Sequence, residues 1–344
     1  MKSVFFCGHK SPYGISHLEP LLSSKLKISK VIVADDARWE IFRNALGGVN
    51  YQRKNNIFAK KIFFLIKKIL KVILRKKTLK KNIFDICKKH HVDLEIIHDV
   101  NDDHFIKKIK SEKFDFFISA AYPQIFSENL LGIAPMGAAN FHPSALPKFR
   151  GAHPHYWALA TGYPEGGVTV HYMTPKIDDG DIIAQITFPI SNFNYREHYE
   201  KIISESCTIV KKLENFILTG SHNIIKQDSN QATYYRNDRQ IHHRIFWNIK
   251  SSDEIINMIR AGSAFFLINY KKVFIQKAIS LKNNRNMTNE ITVPSGTIVD
   301  IGVDNIVVQC KKGFLSIQSI SVGLRTYSAH RFLKKFRLDI GSIF

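Results

Sequence analysis

Five short apolar runs, separated by polar or helical stretches, govern what the first 142 residues can form. They are Ser3–Cys7, Ile28–Ala34, Leu94–Ile97, Phe114–Ala120 and Met136–Phe141. Helical patterning lies between them, at Ile15–Leu22, near Trp39–Leu46 and near 102–110. Short apolar strands alternating with helices predict an α/β domain with a mainly parallel, Rossmann-like sheet. Such sheets carry their ligands beyond the carboxyl ends of the strands. Gly8–Gly14, Ala120–Tyr122 and Asn140–His142 would share that edge.

The chain has 344 residues and is 44% hydrophobic, enough for two domains with substantial cores. A further strand is expected at Ile182–Ile190 and a long helical region near 195–218. Residues 219–250 are polar and aromatic without a steady period, which fits a linker. From Ser251 a helix near 251–261 leads into β-like runs at 264–269, 272–279, 296–301, 305–310 and 313–318, and a last helix is expected near 328–336. Several short strands in that space predict a small β-barrel. The expected organisation is an α/β domain over 1–218, a linker over 219–250 and a barrel domain over 251–344.

The net charge of +21 is concentrated: Arg53–Lys81 holds twelve Lys or Arg and no acidic residue. Ile62, Leu65, Ile66, Ile69, Leu70 and Ile73 recur there at helical spacing, with Lys60, Lys67, Lys68, Lys71 and Arg75 largely opposite. This is the pattern of a basic amphipathic helix. It suits three roles: a helix docked on the core with a solvated lysine face, a peripheral membrane contact, or a contact to nucleic-acid phosphates. No apolar window approaches the about 18 residues of a spanning helix. The four cysteines, Cys7, Cys87, Cys207 and Cys310, are far apart and form no CxxC pair. They point to reduced thiols in a cytoplasmic protein, not to a disulfide framework or a zinc site.

The chemistry is concentrated between Gly137 and Gln185. Asn140 and His142 stand two residues apart, so on an extended strand their side chains share one side. An amide and an imidazole placed together could bracket one reacting carbonyl. Pro143, Pro147, Arg150 and Gly151 then make a rigid irregular loop. Asp178-Asp179-Gly180-Asp181 lies between two strand candidates, where the glycine permits a tight turn that returns a carboxylate toward the histidine. Taken singly, an Asn-x-His at a strand end is more often structural, and an acidic turn is usually solvated or part of a calcium loop. His142, His153, His155 and His171 lack the helical spacing of a metal site, so no metal is expected.

In order, the pieces are much more specific. Asn140, His142, Ser144, Leu146, Pro147, Arg150 and Gly151, then Gly167-Val168-Thr169, then Ile177 to Ile182 resemble the formyltransferase family, which includes methionyl-tRNA and sugar N-formyltransferases. Ala232-Thr233-Tyr234-Tyr235, the Trp247 region, Pro294–Gly302 and Ala329–Phe344 resemble its C-terminal part. The resemblance implies a Rossmann-like catalytic domain and a small OB-like barrel, with 10-formyltetrahydrofolate as formyl donor. It places the family's catalytic triad on Asn140, His142 and Asp178, the last because it precedes the family's x-Gly. It also implies that Ala120, Tyr122, Ser144, Arg150, Met173 and Ile177 border the donor, with Ser144 and Arg150 bracing the loop.

The acceptor is an amine whose identity is argued from departures. The tRNA enzymes usually carry Gly-Thr-Pro after the first strand and Ala-Pro-Lys near the linker. Here the residues are Cys7-Gly8-His9-Lys10-Ser11-Pro12 and Thr233-Tyr234-Tyr235-Arg236. Gly262-Ser263-Ala264 also lacks the usual proline-rich loop. These departures favour a nucleotide-linked amino sugar, with His9, Lys10 and Tyr13 as candidate acceptor contacts or simply a surface loop. Methionyl-tRNA is the alternative, supported by the basic segment. A folate-binding module without activity is a third reading. Glycinamide ribonucleotide fits less well, because enzymes acting on it typically lack the barrel. Sugar-modifying members are often dimers, so the resemblance implies a homodimer.

Overall fold

The computed structural model describes residues 1–9, 11–35, 83–220, 223–236, 243–262, 264–281 and 293–344. The expected helix near Trp39–Leu46, the basic segment 53–81 and Lys10 lie outside the described residues. The chain forms two compact units. The first comprises Met1–His142, Val170–Ala184 and Ser206–Ile224, and the second Pro143–Thr169, Gln185–Glu205 and Ile225–Phe344.

The first unit is built on β1 (Ser3–Gly8), β2 (Ile28–Ala34), β3 (Asp93–Ile97), β4 (Phe116–Ala120) and β5 (Ala138–His142). Their neighbours pair in parallel, β2 with β3, β1 with β2, β1 with β4 and β4 with β5. A two-residue strand, β6 (Arg150–Gly151), precedes the long strands β7 (Glu165–Tyr172) and β8 (Ile182–Pro189). The sheet order is β3-β2-β1-β4-β5-β7-β8. β7 and β8 start or end in this unit and run on into the second. Every residue of β1 and β4 is buried, as in parallel strands covered on both faces. On one side Val4, Phe6, Ile32, Phe105, Phe114, Phe117 and Phe126 share a core.

The first helix spans Pro12–Leu22 and begins three residues before the expected Ile15. Ser11 caps it by accepting the Gly14 N–H, and Pro12 takes the first turn, where a missing N–H costs nothing. Gly14 lets this helix approach the sheet edge: a Cβ there would stand 3.0 Å from the Ala120 carbonyl oxygen. The helical region expected near 195–218 holds two helices, Tyr195–Ser204 and Ser206–Thr219. The first has a full capping box from Asn194 and Glu197 and ends at Glu205. The unit boundary falls at the same point.

In the second unit β9 (Tyr234–Tyr235) pairs in parallel with β6, so part of the expected linker is ordered against the loop that follows β5. The rest of this unit is dominated by an antiparallel sheet of β10 (Phe265–Ile268), β11 (Lys271–Leu281), β12 (Ile298–Ile301), β13 (Ile306–Gln309), β14 (Phe314–Val322) and β15 (Arg325–Ser328). Its order is β10-β11-β14-β13-β12, with β15 on β14. Helices Ser252–Arg260 and Ala329–Phe336 bury Ile255, Met258, Phe332 and Leu333 in its core with Trp247 and Phe266. β15 was not expected, because most of its residues are exposed and it offers no apolar run. No described helix is long and apolar enough to cross a membrane.

Candidate active site

β5 delivers Asn140 and His142 from the same strand with Phe141 between them, and His142 and Phe141 are buried. The neighbouring β7 ends in His171 and Tyr172. The Met173 N–H donates to the Ala138 carbonyl at 2.7 Å, and the Tyr172 N–H donates to the Asp181 carbonyl at 2.9 Å. The first ties the start of the loop to β5, and the second closes the loop from Tyr172 to Asp181 across the acidic turn.

The turn owes its shape to two residues. Asp178 is left-handed, with φ of +51°, a conformation that aspartate and asparagine tolerate better than most side chains. Gly180 lies against the Tyr172 backbone, where a Cβ would overlap the carbonyl oxygen. The carboxylates of the turn are therefore sorted. Asp179 accepts from the Thr174 hydroxyl at 2.7 Å and is committed to the turn. Asp178 points its two oxygens at two histidines: Oδ2 is 3.4 Å from His142 Nδ1 and Oδ1 is 3.4 Å from His171 Nε2.

All three groups are shielded from water, with side-chain exposures of 5% for His142, 2% for His171 and 12% for Asp178. The Asn140 amide nitrogen stands 3.4 Å from His171 Nε2. Asn140, His142, Asp178 and His171 thus form one polar cluster within the first unit, with both histidines buried and Asn140 and Asp178 half-buried. Burial makes each contact stronger than it would be in water. An imidazole whose second nitrogen rests on a carboxylate is oriented to move protons, and an adjacent amide can donate to an oxyanion. His171 was not singled out for this cluster. Its signal is an ionisable side chain one residue from the end of a strand whose other buried residues are uncharged.

The other candidates are placed variously. Ala120 ends β4 and is fully buried. Tyr122 packs edge-on against Phe6 and Phe126, and burial pushes its hydroxyl far above the ordinary range, so it stays protonated. Its oxygen is buried without a hydrogen-bond partner among the described residues. Met173 packs partly buried against the core of this unit, and half-buried Ile177 precedes the turn. His9 meets the Phe84 ring edge-on at 5.5 Å. Tyr13 is 3% exposed and packs on His17, so it belongs to the interior rather than to a surface loop.

Ser144 and Arg150 belong to the second unit. The Ser144 hydroxyl donates to the Lys148 carbonyl at 2.9 Å, and its own carbonyl accepts from Thr169 at 2.7 Å. The Arg150 guanidinium donates twice to the Gln227 side-chain oxygen, at 3.1 and 2.8 Å. Both side chains hold the loop to its surroundings by bonds that they already make. Among the described residues no group of three or more His, Cys, Asp or Glu is placed to hold a metal ion.

Comparison with known proteins bears on what such a cluster does. A family model described as formyl transferase matches residues 40–208, and one described as formyl transferase, C-terminal domain, matches residues 239–337. The methionyl-tRNA formyltransferase of Staphylococcus aureus is 33% identical over 199 residues, covering 56% of this chain and 62% of that protein. The match thus spans less than two thirds of that relative's length. Among solved structures, WlaRD, a sugar 3N-formyl transferase in the presence of dTDP and 5-N-formyl-THF, superposes with a TM-score of 0.59 at 21% identity, over 94% of this chain and 99% of the other. The N-formyltransferase of Helicobacter canadensis, in complex with folinic acid and dTDP-3-aminofucose, gives a TM-score of 0.58 at 20% identity, over 92% and 99%. At these identities the likeness is one of fold.

Proposed function

Because the chain belongs to the formyltransferase family, we propose that it carries a formyl group from 10-formyltetrahydrofolate to the primary amine of a nucleotide-linked amino sugar. The observation that carries this reading is the His142–Asp178 contact beside Asn140. The neutral amine attacks the formyl carbon, and the carbonyl becomes a tetrahedral oxyanion. The Asn140 amide donates a hydrogen bond to that oxygen, and the His142 ring does so once it has taken up the proton of the attacking nitrogen. With Nδ1 held on Asp178, Nε2 is the ring nitrogen that exchanges protons with the reacting centre. It takes a proton from the attacking nitrogen and returns it to the folate nitrogen as that carbon–nitrogen bond breaks. The products are an N-formylated amine and tetrahydrofolate.

The donor is supported by fold relatives crystallised with formylated folates, and the amino-sugar acceptor by relatives holding dTDP or dTDP-3-aminofucose. Thr233-Tyr234-Tyr235-Arg236 and Cys7–Pro12 support the same acceptor class. Ala120, Tyr122, Met173 and Ile177 remain the residues proposed to border the folate, and His9 and Lys10 those proposed to meet the acceptor.

A second reading, formylation of methionyl-tRNA, rests on the 33% identity to the staphylococcal enzyme and on the twelve basic residues of Arg53–Lys81. One assay separates the two. Purified protein with 10-formyltetrahydrofolate is offered a panel of nucleotide-linked amino sugars and, separately, charged initiator tRNA, and tetrahydrofolate release is followed. Turnover with an amino sugar in the absence of tRNA is expected. Turnover confined to tRNA, falling steeply with added salt, would replace the first reading with the second. Folate binding without transfer to any amine would leave only a binding module.

A further inference from the structure

His171 presents two ring nitrogens to two different tasks. Nδ1 is 2.8 Å from the Tyr172 carbonyl oxygen. A carbonyl only accepts, so Nδ1 carries a hydrogen there. Nε2 is left facing Asp178 Oδ1 and the Asn140 amide nitrogen, each at 3.4 Å. One ring atom therefore touches two of the three groups to which the chemistry is assigned, while the other oxygen of the same carboxylate faces His142. The side chain is 2% exposed, too dry for water to take over the role.

We propose that His171 is a positioning residue that keeps the Asp178 carboxylate in register with His142, its Nε2–H directed at Oδ1. The inference rests on the formyl-transfer reading for its kinetic consequence but not for its geometry. A carboxylate turns easily about its last torsion, which has broad minima. A ring held at Nδ1 by a backbone carbonyl gives Oδ1 a fixed neighbour, and Oδ2 is thereby aimed at His142. Partners of this kind, one step removed from the reacting atoms, commonly set the orientation of those that act.

The two nitrogens can be replaced one at a time. His171→Gln sets an amide near the place of Nε2 and omits Nδ1, whereas His171→Asn does the reverse. A positioning role predicts that Gln keeps kcat within about threefold, while Asn lowers it by on the order of 100-fold with little change in KM. The 13C resonance of the Asp178 carboxyl, recorded on the free protein, is expected to move in the Asn variant and to stay in the Gln variant. Rescue by Asn and loss with Gln would make His171 a mere brace on Tyr172 and overturn the proposal. So would wild-type kcat and an unmoved Asp178 resonance in both. The resonance needs no turnover. A wild-type protein that formylates no amine would sink the formyl-transfer reading, and the Asp178 signal would still decide this one.

Discussion

The Tyr172 carbonyl oxygen occupies the space that a Cβ on Gly180 would need. The same oxygen accepts from His171 Nδ1, so the acidic turn and the imidazole are set by one backbone group. Gly180→Ala should therefore displace the turn and with it Asp178, whose 3.4 Å approach to His142 leaves little slack. A loss of kcat on the order of 100-fold is expected from a displacement of about 1 Å. A variant with ordinary kcat would show that the turn tolerates the added carbon without moving the carboxylate.

Asp178 and Asp179 are neighbours in sequence with separate partners. Asp178→Asn keeps the shape of the side chain and its tolerance of positive φ, so the turn should fold while His142 loses its anionic partner. Turnover is expected to fall by roughly 100-fold to 10,000-fold. Asp179→Asn touches only the Thr174 contact and should keep kcat within about threefold, since one exposed-to-half-buried hydrogen bond is worth about 1 kcal/mol. Steady-state rates of the two purified variants provide the check, and equal losses would contradict the sorting of the two carboxylates.

Much of this was legible because burial on both faces writes itself into sequence. β1 and β4 are covered throughout and read as apolar runs broken only by Ser3 and Ser119. Asn140 and His142 were legible as a pair through strand alternation alone. β15 was not, since a mostly exposed edge strand carries no apolar signature. The break at Glu205 was not legible because apolar spacing runs through it from one helix into the next. Which aspartate faces the histidine could be taken from family likeness but not from physics, because all three acidic residues of the turn look alike until Thr174 is seen to hold Asp179. His171 belongs to the same class: its role depends on a register between strands that no single segment encodes.

The helix Tyr195–Ser204 depends on its cap. Asn194 accepts from the Arg196 and Glu197 N–H groups at 2.9 and 3.1 Å, and Glu197 accepts from the Asn194 N–H at 2.8 Å. Asn194→Ala should cost about 1 kcal/mol of stability, read as a lower urea midpoint with an unchanged slope. Gly in the same place should cost only a few tenths. A changed slope would mean that this substitution alters more than the cap.

Two histidines outside the cluster should govern acid stability. Burial holds the His17 imidazole down to about 4, against a smaller upward pull from the Tyr13 carbonyl. Burial likewise holds His198 down to about 4, opposed by the His155 carbonyl and helped by the positive charge of Arg260. Both values lie below the ordinary one of 6.5. The unfolded chain thus takes up protons on these rings before the folded chain does. Their contribution is fully present above pH 6.5 and is lost as the pH falls toward 4, where the folded rings protonate as well. Between about pH 7.5 and about 5 each imidazole should remove roughly 2 kcal/mol of unfolding free energy. His17→Gln lowers stability at every pH, because a packed ring against Phe141 is lost, yet it should flatten the dependence on pH by about that amount. Urea unfolding at the two pH values, with His198→Gln and the double variant alongside, measures each share. A dependence as steep in the double variant as in the parent would assign the acid sensitivity to other groups.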